Sequence, residues 1–335
     1  MASRRLQTVL GVFARHPGSR RAALLFACEG TRTAEREIRW AVGMPHQPKA
    51  PALCGLRSRV ADVVHSPMIS KCTVAQLRTT RAATSMLQAY YDASGKPDLG
   101  HVTVAGWMST PGGWADFGVR WNEALAQFGV PYFHASTFAG SQGPFAEWRN
   151  DESRKRDFIE RLATIMRETV LFGISSTMYY ADFAAADKLF GIAAVYRNAF
   201  VLAARDCMKR FDAHAFTLRG PRNREVAHIF ESGDEGSGYL REICRQEGAR
   251  PPQFHPSTPN HDGIPHLVQL QSADFAAYEC FRLVQQRPKF NYAPVPIEAA
   301  RPPVALLNEI PNEWKVYDLR SLSLRALFLD RHRRN

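Results

Sequence analysis

The sequence lacks the features that mark several common classes of protein. Its six cysteines include no Cys-x-x-Cys pair, which excludes a zinc ribbon, a thioredoxin-type motif and a disulfide scaffold. None of its glycine-rich stretches ends in Gly-Lys-Ser/Thr, so it has no Walker A phosphate loop. Its longest apolar run, Ala22 to Cys28, is seven residues long, whereas a membrane-spanning helix needs about 20. These absences predict a cytoplasmic protein that has no membrane partner.

Acidic residues are scarce in the first quarter of the chain. Residues 1–85 hold 14 of the 43 Lys and Arg but only 4 of the 32 Asp and Glu, a balance of +10 that leaves +1 for the remainder. They also show no sustained hydrophobic periodicity, which predicts a mostly disordered arm. Three interpretations stay open: an over-extended start that precedes the real domain, a basic arm for nucleic acid, and a targeting segment.

A regular pattern of strands and helices begins at Met86. Apolar and polar residues alternate over 86–92 and again over 101–108, and the turn residues between these segments predict a β-hairpin. Helical spacing and short apolar runs then alternate along the chain. The sequence predicts helices at 117–128, 158–166, 200–211 and 238–247, a strand at 170–178, a strand at Val226–Phe230, and a strand at Leu267–Leu270 that leads into a helix capped by Ser272.

This order of elements indicates the fold class. A hairpin followed by alternating helices and strands predicts an α/β domain with a mixed sheet over residues 86–290. Residues 291–335 are expected to form a Pro-rich connector and a C-terminal amphipathic segment. The tryptophans of the domain are expected in its core and not as platforms for stacking bases; they are Trp107, Trp114, Trp121 and Trp148.

Three acidic residues follow strands of the expected sheet: Asp92, Glu231 and Asp274. Because ligands collect at the carboxyl ends of strands in an open α/β sheet, we expect these carboxylates to converge. Carboxylates so close repel one another unless a cation intervenes, and hard oxygen ligands suit Mg²⁺ or Mn²⁺. Two such ions can activate a water and stabilise the leaving oxygen in phosphodiester cleavage. The pattern therefore predicts a divalent-metal site, with a two-ion site suspected.

Each acid also has a purely structural interpretation. Asp92 can accept hydrogen bonds from the turn that follows it, and Asp274 can lie in the first turn of a helix, where the helix dipole favours a carboxylate. Glu231 opens a glycine-rich loop over residues 231–236 that suits the approach of a cation. Asp234 lies in the same loop and competes with Glu231 as a ligand.

Other polar residues are weaker candidates. His134 can serve as an acid, a base or a metal ligand, although a histidine beside aromatic residues is commonly a core residue, and Ser94 is a second accessory candidate. A further group has no common zinc-ligand spacing, and its prolines predict an exposed loop; its members are His255, His261, Asp262 and His266.

Three separated motifs resemble the bacterial domain of unknown function 3800 family. They are Tyr90-Tyr91-Asp92-Ala93-Ser94-Gly95, Phe133-His134-Ala135, and Leu267-Val268-Gln269-Leu270-Gln271-Ser272-Ala273-Asp274. That family typically shows an Asp-Glu-Ser-Gly start, a Phe-His-Ala segment and a late Leu-Gln-x-Ala-Asp stretch that enters a helix. It looks related to the RNase H-like superfamily, whose members commonly bind two divalent ions through acidic side chains and act on nucleic acids.

The resemblance covers residues 86–290 and carries expectations about fold and function. It implies an RNase H-like mixed sheet flanked by helices, in which Asp92, Glu231 and Asp274 are the metal ligands. It also implies a metal-dependent nuclease or a related phosphoryl-transfer enzyme that acts on DNA or RNA. Ala93 departs from the family, which usually has Glu there, so one acid of the site is missing.

Two other functions stay open. One is a non-catalytic interaction protein on the same scaffold, which Ala93 and the nearly neutral body favour. The other is a metal-independent hydrolase that uses Asp92 and Glu231 as its two carboxylates, as glycosidases do.

Overall fold

A six-stranded mixed sheet organises the computed structural model of this chain, which describes residues 86–220, 225–258 and 266–324. The strands are β1 (Leu87–Ser94), β2 (His101–Ser109), β3 (Phe172–Tyr179), β4 (Val226–Glu231), β5 (Gln253–His255) and β6 (Asn312–Tyr317). Their order across the sheet is β5-β4-β1-β2-β3-β6. Strands β1, β2 and β3 pair antiparallel, whereas β4 is parallel to β1, β5 to β4, and β6 to β3. The predicted hairpin and mixed sheet are confirmed.

Helices pack on both faces of this sheet. They are α1 (Pro111–Phe128), α2 (Ala135–Ala139), α3 (Glu152–Thr169), α4 (Tyr180–Phe190), α5 (Ala193–Tyr196), α6 (Ala199–Arg219), α7 (Ser237–Gln246), α8 (Gln269–Gln285) and α9 (Pro302–Asn308). The core on one face contains residues of α6 and α7, and the core on the other contains residues of α1, α3 and α8. No helix of the described ranges is both long and apolar enough to cross a membrane.

The two cores explain why the central strands are buried on both faces. Leu87, Ala89 and Tyr91 alternate into the α6 side, whereas Tyr90 packs on the α8 side. Every residue of β2 is buried. The four tryptophans lie in the core on the α8 side, as the sequence predicts; they are Trp107, Trp114, Trp121 and Trp148.

The helix ends follow local rules. Helix α1 begins after Thr110, whose side-chain oxygen accepts a hydrogen bond from Gly113 N, and it ends at Gly129 in the left-handed conformation, with φ 72°. Asp151 caps α3 by accepting from Arg154 N.

The predicted strand at Leu267–Leu270 is wrong. Helix α8 already begins at Gln269, and Ser272 lies inside it, where its hydroxyl donates to Gln269 O. A short apolar run fits a strand and a buried helix equally well, and the first two turns of α8 are buried on every side. The last strand before α8 is instead β5, three residues long, in a stretch that the sequence assigned to an exposed loop.

The C-terminal segment also contributes to the sheet. Residues 291–335 were expected to form a connector and an amphipathic end, and within them the chain forms α9 and then β6, which pairs with β3 from Gly173–Asn312 to Met178–Tyr317. Residues 1–85, for which the sequence predicts a disordered arm, lie outside the described residues.

Candidate functional site

The first two acids meet because β1 and β4 are parallel neighbours. In their register Tyr91 lies beside Phe230, so that Asp92 and Glu231 follow side by side at the carboxyl edge of the sheet. Asp92 is a residue of β1 itself and is 9% exposed. Its Oδ1 accepts a hydrogen bond from the adjacent Ala93 N at 2.7 Å.

Asp274 reaches the same point from a helix and not from a strand end. It is the sixth residue of α8 and therefore belongs to the second turn, so the structural interpretation that placed it in a first turn is also wrong. Helix α8 crosses β1 and β2 on one face of the sheet. Asp274 is 7% exposed, and its Oδ2 accepts a hydrogen bond from Ala135 N at 2.6 Å.

The three carboxyl groups lie close enough to interact electrostatically. The charges of Glu231 and Asp274 both act on Asp92, and that of Asp274 acts on Glu231. Because like charges at short range oppose ionisation, the cluster keeps its protons to a higher pH than isolated carboxyls do.

Burial and mutual repulsion raise the pKa values of this cluster. Burial is the main cause for Asp92, whose pKa lies well above its usual range, and the charges of Glu231, Asp274 and Asp234 raise it further. Burial raises the pKa of Asp274 to about 7, against the hydrogen bond from Ala135. It also raises the pKa of Glu231, and that of Asp234 to about 7, with help from Glu231. Such a set of acids binds protons or cations near neutral pH.

All six candidate residues of the sequence analysis line one open cleft of about 1020 Å³, namely Asp92, Ser94, His134, Glu231, Asp234 and Asp274. His134 is half-buried, and its Nδ1 is hydrogen-bonded to Thr137 Oγ1 at 2.7 Å. That bond leaves Nε2 as the ring nitrogen that can act in the cleft. Of the rejected histidine group, His255 ends β5, whereas His261 and Asp262 lie outside the described residues.

Gln271 holds two segments that support the acids. It is 1% exposed, and its Oε1 accepts from Phe133 N at 2.9 Å and from Trp121 Nε1 at 3.0 Å. Its Nε2 donates to Ser257 O at 3.0 Å. The buried amide of Gln271 thus links helix α1 to two loop segments, one at Phe133 and one at Ser257.

Each segment held by Gln271 gives a hydrogen bond to one acid. Two residues after Phe133, Ala135 N donates to Asp274, and the hydroxyl of Ser257 donates to Glu231 Oε1. In the sequence, Gln271 is only one residue of the 267–274 motif, and nothing marks its bridging role. The role of Ser257 is not predicted at all, because a serine in a loop carries no signal of the acid to which it donates.

The donor set fits a hard divalent cation. It offers carboxylate oxygens and one histidine, and no Lys or Arg of the described ranges forms an ion pair with the acids of the cleft. Oxygen ligands of this kind are those that Mg²⁺ and Mn²⁺ prefer. Among the described residues, no group of three or more His, Cys, Asp or Glu is already arranged as a metal centre.

Comparisons of the chain with protein-family models, with curated proteins and with solved structures give no match. The functional conclusion therefore depends on the chemistry of the cleft.

Proposed function

We propose that this protein is a divalent-metal-dependent nuclease, or a related phosphoryl-transfer enzyme, of the domain of unknown function 3800 type. The observation that carries this proposal is the convergence of three carboxyls with raised pKa values on one open cleft: the buried Asp92 and Asp274 and the partly buried Glu231. Perturbed acids of this kind cluster at functional sites. No basic side chain of the described ranges neutralises them, so a cation from solution is the natural partner.

The sheet supports the RNase H-like part of the proposal. Strands β1, β2 and β3 are consecutive and antiparallel, and β4 and β5 add in parallel on the other side of β1. This is the arrangement expected of an RNase H-like sheet, to which β6 adds an outer strand. Asp92 lies in β1 and Glu231 at the end of its parallel neighbour β4, which supports their proposed role as the first two ligands.

In this mechanism Asp92, Glu231 and Asp274 would hold Mg²⁺ or Mn²⁺. When bound, such ions supply an activated water and charge stabilisation for the leaving oxygen. The chain itself orients the ligands through the hydrogen bonds from Ala135 N to Asp274 and from Ser257 to Glu231. His134, at the rim with Nδ1 engaged, is placed to move a proton through Nε2.

The surroundings of the acids weigh against the metal-independent hydrolase. Such an enzyme works with two carboxyls, one protonated and one ionised. The cleft instead brings four acids together, and burial and like charges raise their pKa values. An ionised carboxylate is disfavoured in such a set unless a cation is present. The non-catalytic interaction protein stays open, and the experiment below decides it.

The test is a thermal-unfolding titration of the full chain with Mn²⁺ and with Mg²⁺, followed by cleavage assays. Ligand at 100 times its Kd stabilises by about 2.7 kcal/mol, so we expect the melting temperature to rise by several degrees. Asp92→Asn should lose most of this rise because it removes a central ligand. Labelled single- and double-stranded DNA and RNA should be cut by the parent only when the metal is present.

The matched control is Asp116→Asn, which removes an exposed carboxylate of α1 that pairs with Arg120. It should keep the parent's metal response and cleavage. If the parent shows neither a metal-dependent rise nor cleavage of any substrate, the enzyme proposal fails and the interaction-protein hypothesis replaces it.

A further inference from the structure

The cleft extends from the acids along one face of α8. Asp274, Tyr278, Arg282 and Gln285 all line it, spaced four, four and three residues apart. Residues at such spacing share one side of a helix. With a rise of about 1.5 Å per residue, Arg282 lies about 12 Å along the axis from Asp274.

The β1–β2 turn brings a second basic residue to this face. Lys96 is exposed and lines the cleft. The preceding Gly95 has φ 103°, and a Cβ there would lie 2.7 Å from the Phe281 ring of α8. Only glycine permits this close approach, which holds the turn that carries Lys96 against the part of α8 that carries Arg282.

The opposite wall of the cleft has the reverse charge. It is formed on the α6 side of the sheet by Asn198 and by the loop after β4, which carries Asp234 and Glu235. Gly236, at the end of this loop, packs against Phe200 and Val201 of α6. A polyanion in the cleft is thus attracted to one wall and repelled by the other.

We propose that the substrate is a single-stranded nucleic acid whose backbone follows α8 from Asp274 towards Gln285. This inference rests on the proposed function and adds the strand form and the path. The phosphate that reacts lies at Asp274, and Lys96 and Arg282 neutralise other phosphates of the same strand. The half-buried ring of Tyr278 contacts the nucleotides that lie between Asp274 and Arg282. The 12 Å path corresponds to roughly three to four stacked nucleotides at about 3.4 Å each.

The charge asymmetry is the reason for a single strand. A duplex that places one backbone along α8 carries its second backbone towards Asp234 and Glu235, where like charges repel it. A single strand has only one backbone and presents its bases to the rest of the cleft. Stacking of bases on an aromatic side chain needs no particular sequence, so the path predicts recognition of strand form and not of sequence.

The experiment measures binding of the full chain to a labelled single-stranded oligonucleotide and to the matching duplex, by fluorescence anisotropy without added metal, so that neither oligonucleotide is cut. Arg282→Ala should weaken single-strand binding and lower the slope of log affinity against log salt by about 0.7. Tyr278→Leu should weaken it about fivefold or more, with the slope unchanged. All variants carry the same residues 1–85, so differences between them report on the cleft.

Two matched controls lie on α7, outside the cleft. Arg245→Ala removes an exposed arginine, and Tyr239→Leu removes a 51% exposed tyrosine that has an arginine over its ring, as Tyr278 has. Both should bind like the parent. The inference is overturned if the two cleft variants bind single strands like these controls, or if the parent prefers the duplex.

A metal titration separates this inference from the proposed function. The parent and Arg282→Ala should show the same Mn²⁺-dependent rise in melting temperature, because Arg282 touches no metal ligand. If the parent shows no such rise, the proposed function is contradicted. The binding differences between the cleft variants and the controls then still test whether a single strand follows α8.

Discussion

Carboxylates on the two sides of the sheet have opposite surroundings. On the α6 side, Glu247 accepts hydrogen bonds from Arg205 and Lys209. Burial alone would raise the pKa of Glu247, but these two partners bring it below its usual range. At the strand edge, Asp92 has the acids Glu231, Asp274 and Asp234 as charged neighbours, and burial raises the pKa values of both Asp92 and Asp274.

The acids on the α6 side are paired with basic residues and stabilise the fold, whereas the acids of the cleft have no basic partner among the described residues. Asp206 on α6 accepts from Ser176 at 2.6 Å and pairs with Arg210, so its charge is compensated within the chain. The acids of the cleft lower stability when they ionise together, and their negative charge has to be compensated by a bound cation or by protons. Three predictions test this comparison.

Removing one buried carboxylate from each side should change stability in opposite directions. Asp206→Asn should lower the free energy of unfolding by about 3 kcal/mol, because it leaves Arg210 with one buried partner fewer. Asp274→Asn should raise it by about 1–2 kcal/mol at pH 8 without metal, because it removes a carboxylate whose ionised form is disfavoured by burial. Urea unfolding of the full chain measures both. Destabilisation of equal size by both substitutions would break the comparison.

Replacing Gln271 should weaken the fold and the metal site together. Gln271→Leu leaves Phe133 N, Trp121 Nε1 and Ser257 O without their partner, at a cost of about 1–3 kcal/mol for each buried group that stays unsatisfied. Because the same segments orient Glu231 and Asp274, Mn²⁺ affinity measured by calorimetry should also fall.

Ser109→Ala is the control for this variant. It removes a buried hydrogen bond to Thr169 O near the other end of β2, where Ser109 pairs with Gln88. It should reduce stability and leave Mn²⁺ affinity unchanged. Equal Mn²⁺ affinity in both variants would show that Gln271 serves only the core.

The smallest expected effect is a pH dependence of stability. The pKa of Asp274 rises from its ordinary 3.8 to about 7 on folding. Below about pH 4 both folded and unfolded chains hold this proton; between about 4 and 7 only the folded chain does, so stability falls as pH rises through this window. Without metal, the melting temperature should fall by a few degrees from pH 5 to pH 8.

Saturating Mn²⁺ should flatten this pH profile, since the ion replaces the protons, and so should Asp274→Asn. A melting temperature that rises over the same range without metal would mean that the acids of the cleft are not repelling one another.

The sequence alone determined the local elements and the types of residue in the site. The hairpin, α1, α3, α6 and β4 follow from periodicity and from end signals such as Asp151 and Gly129, because these depend on neighbours a few residues away. Asp92 and Glu231 were found for the same reason, since each follows a short run of apolar residues that forms a recognisable strand.

Tertiary structure decided what the remaining segments become. The run at Leu267–Leu270 is too short to distinguish a strand from a buried helix, and only packing across β1 and β2 makes it the start of α8. Strands β5 and β6 exist because β4 and β3 offer open edges to pair with. The roles of Gln271 and Ser257 depend on hydrogen bonds between segments 14 or more residues apart, and the pKa values depend on burial, which no local pattern records.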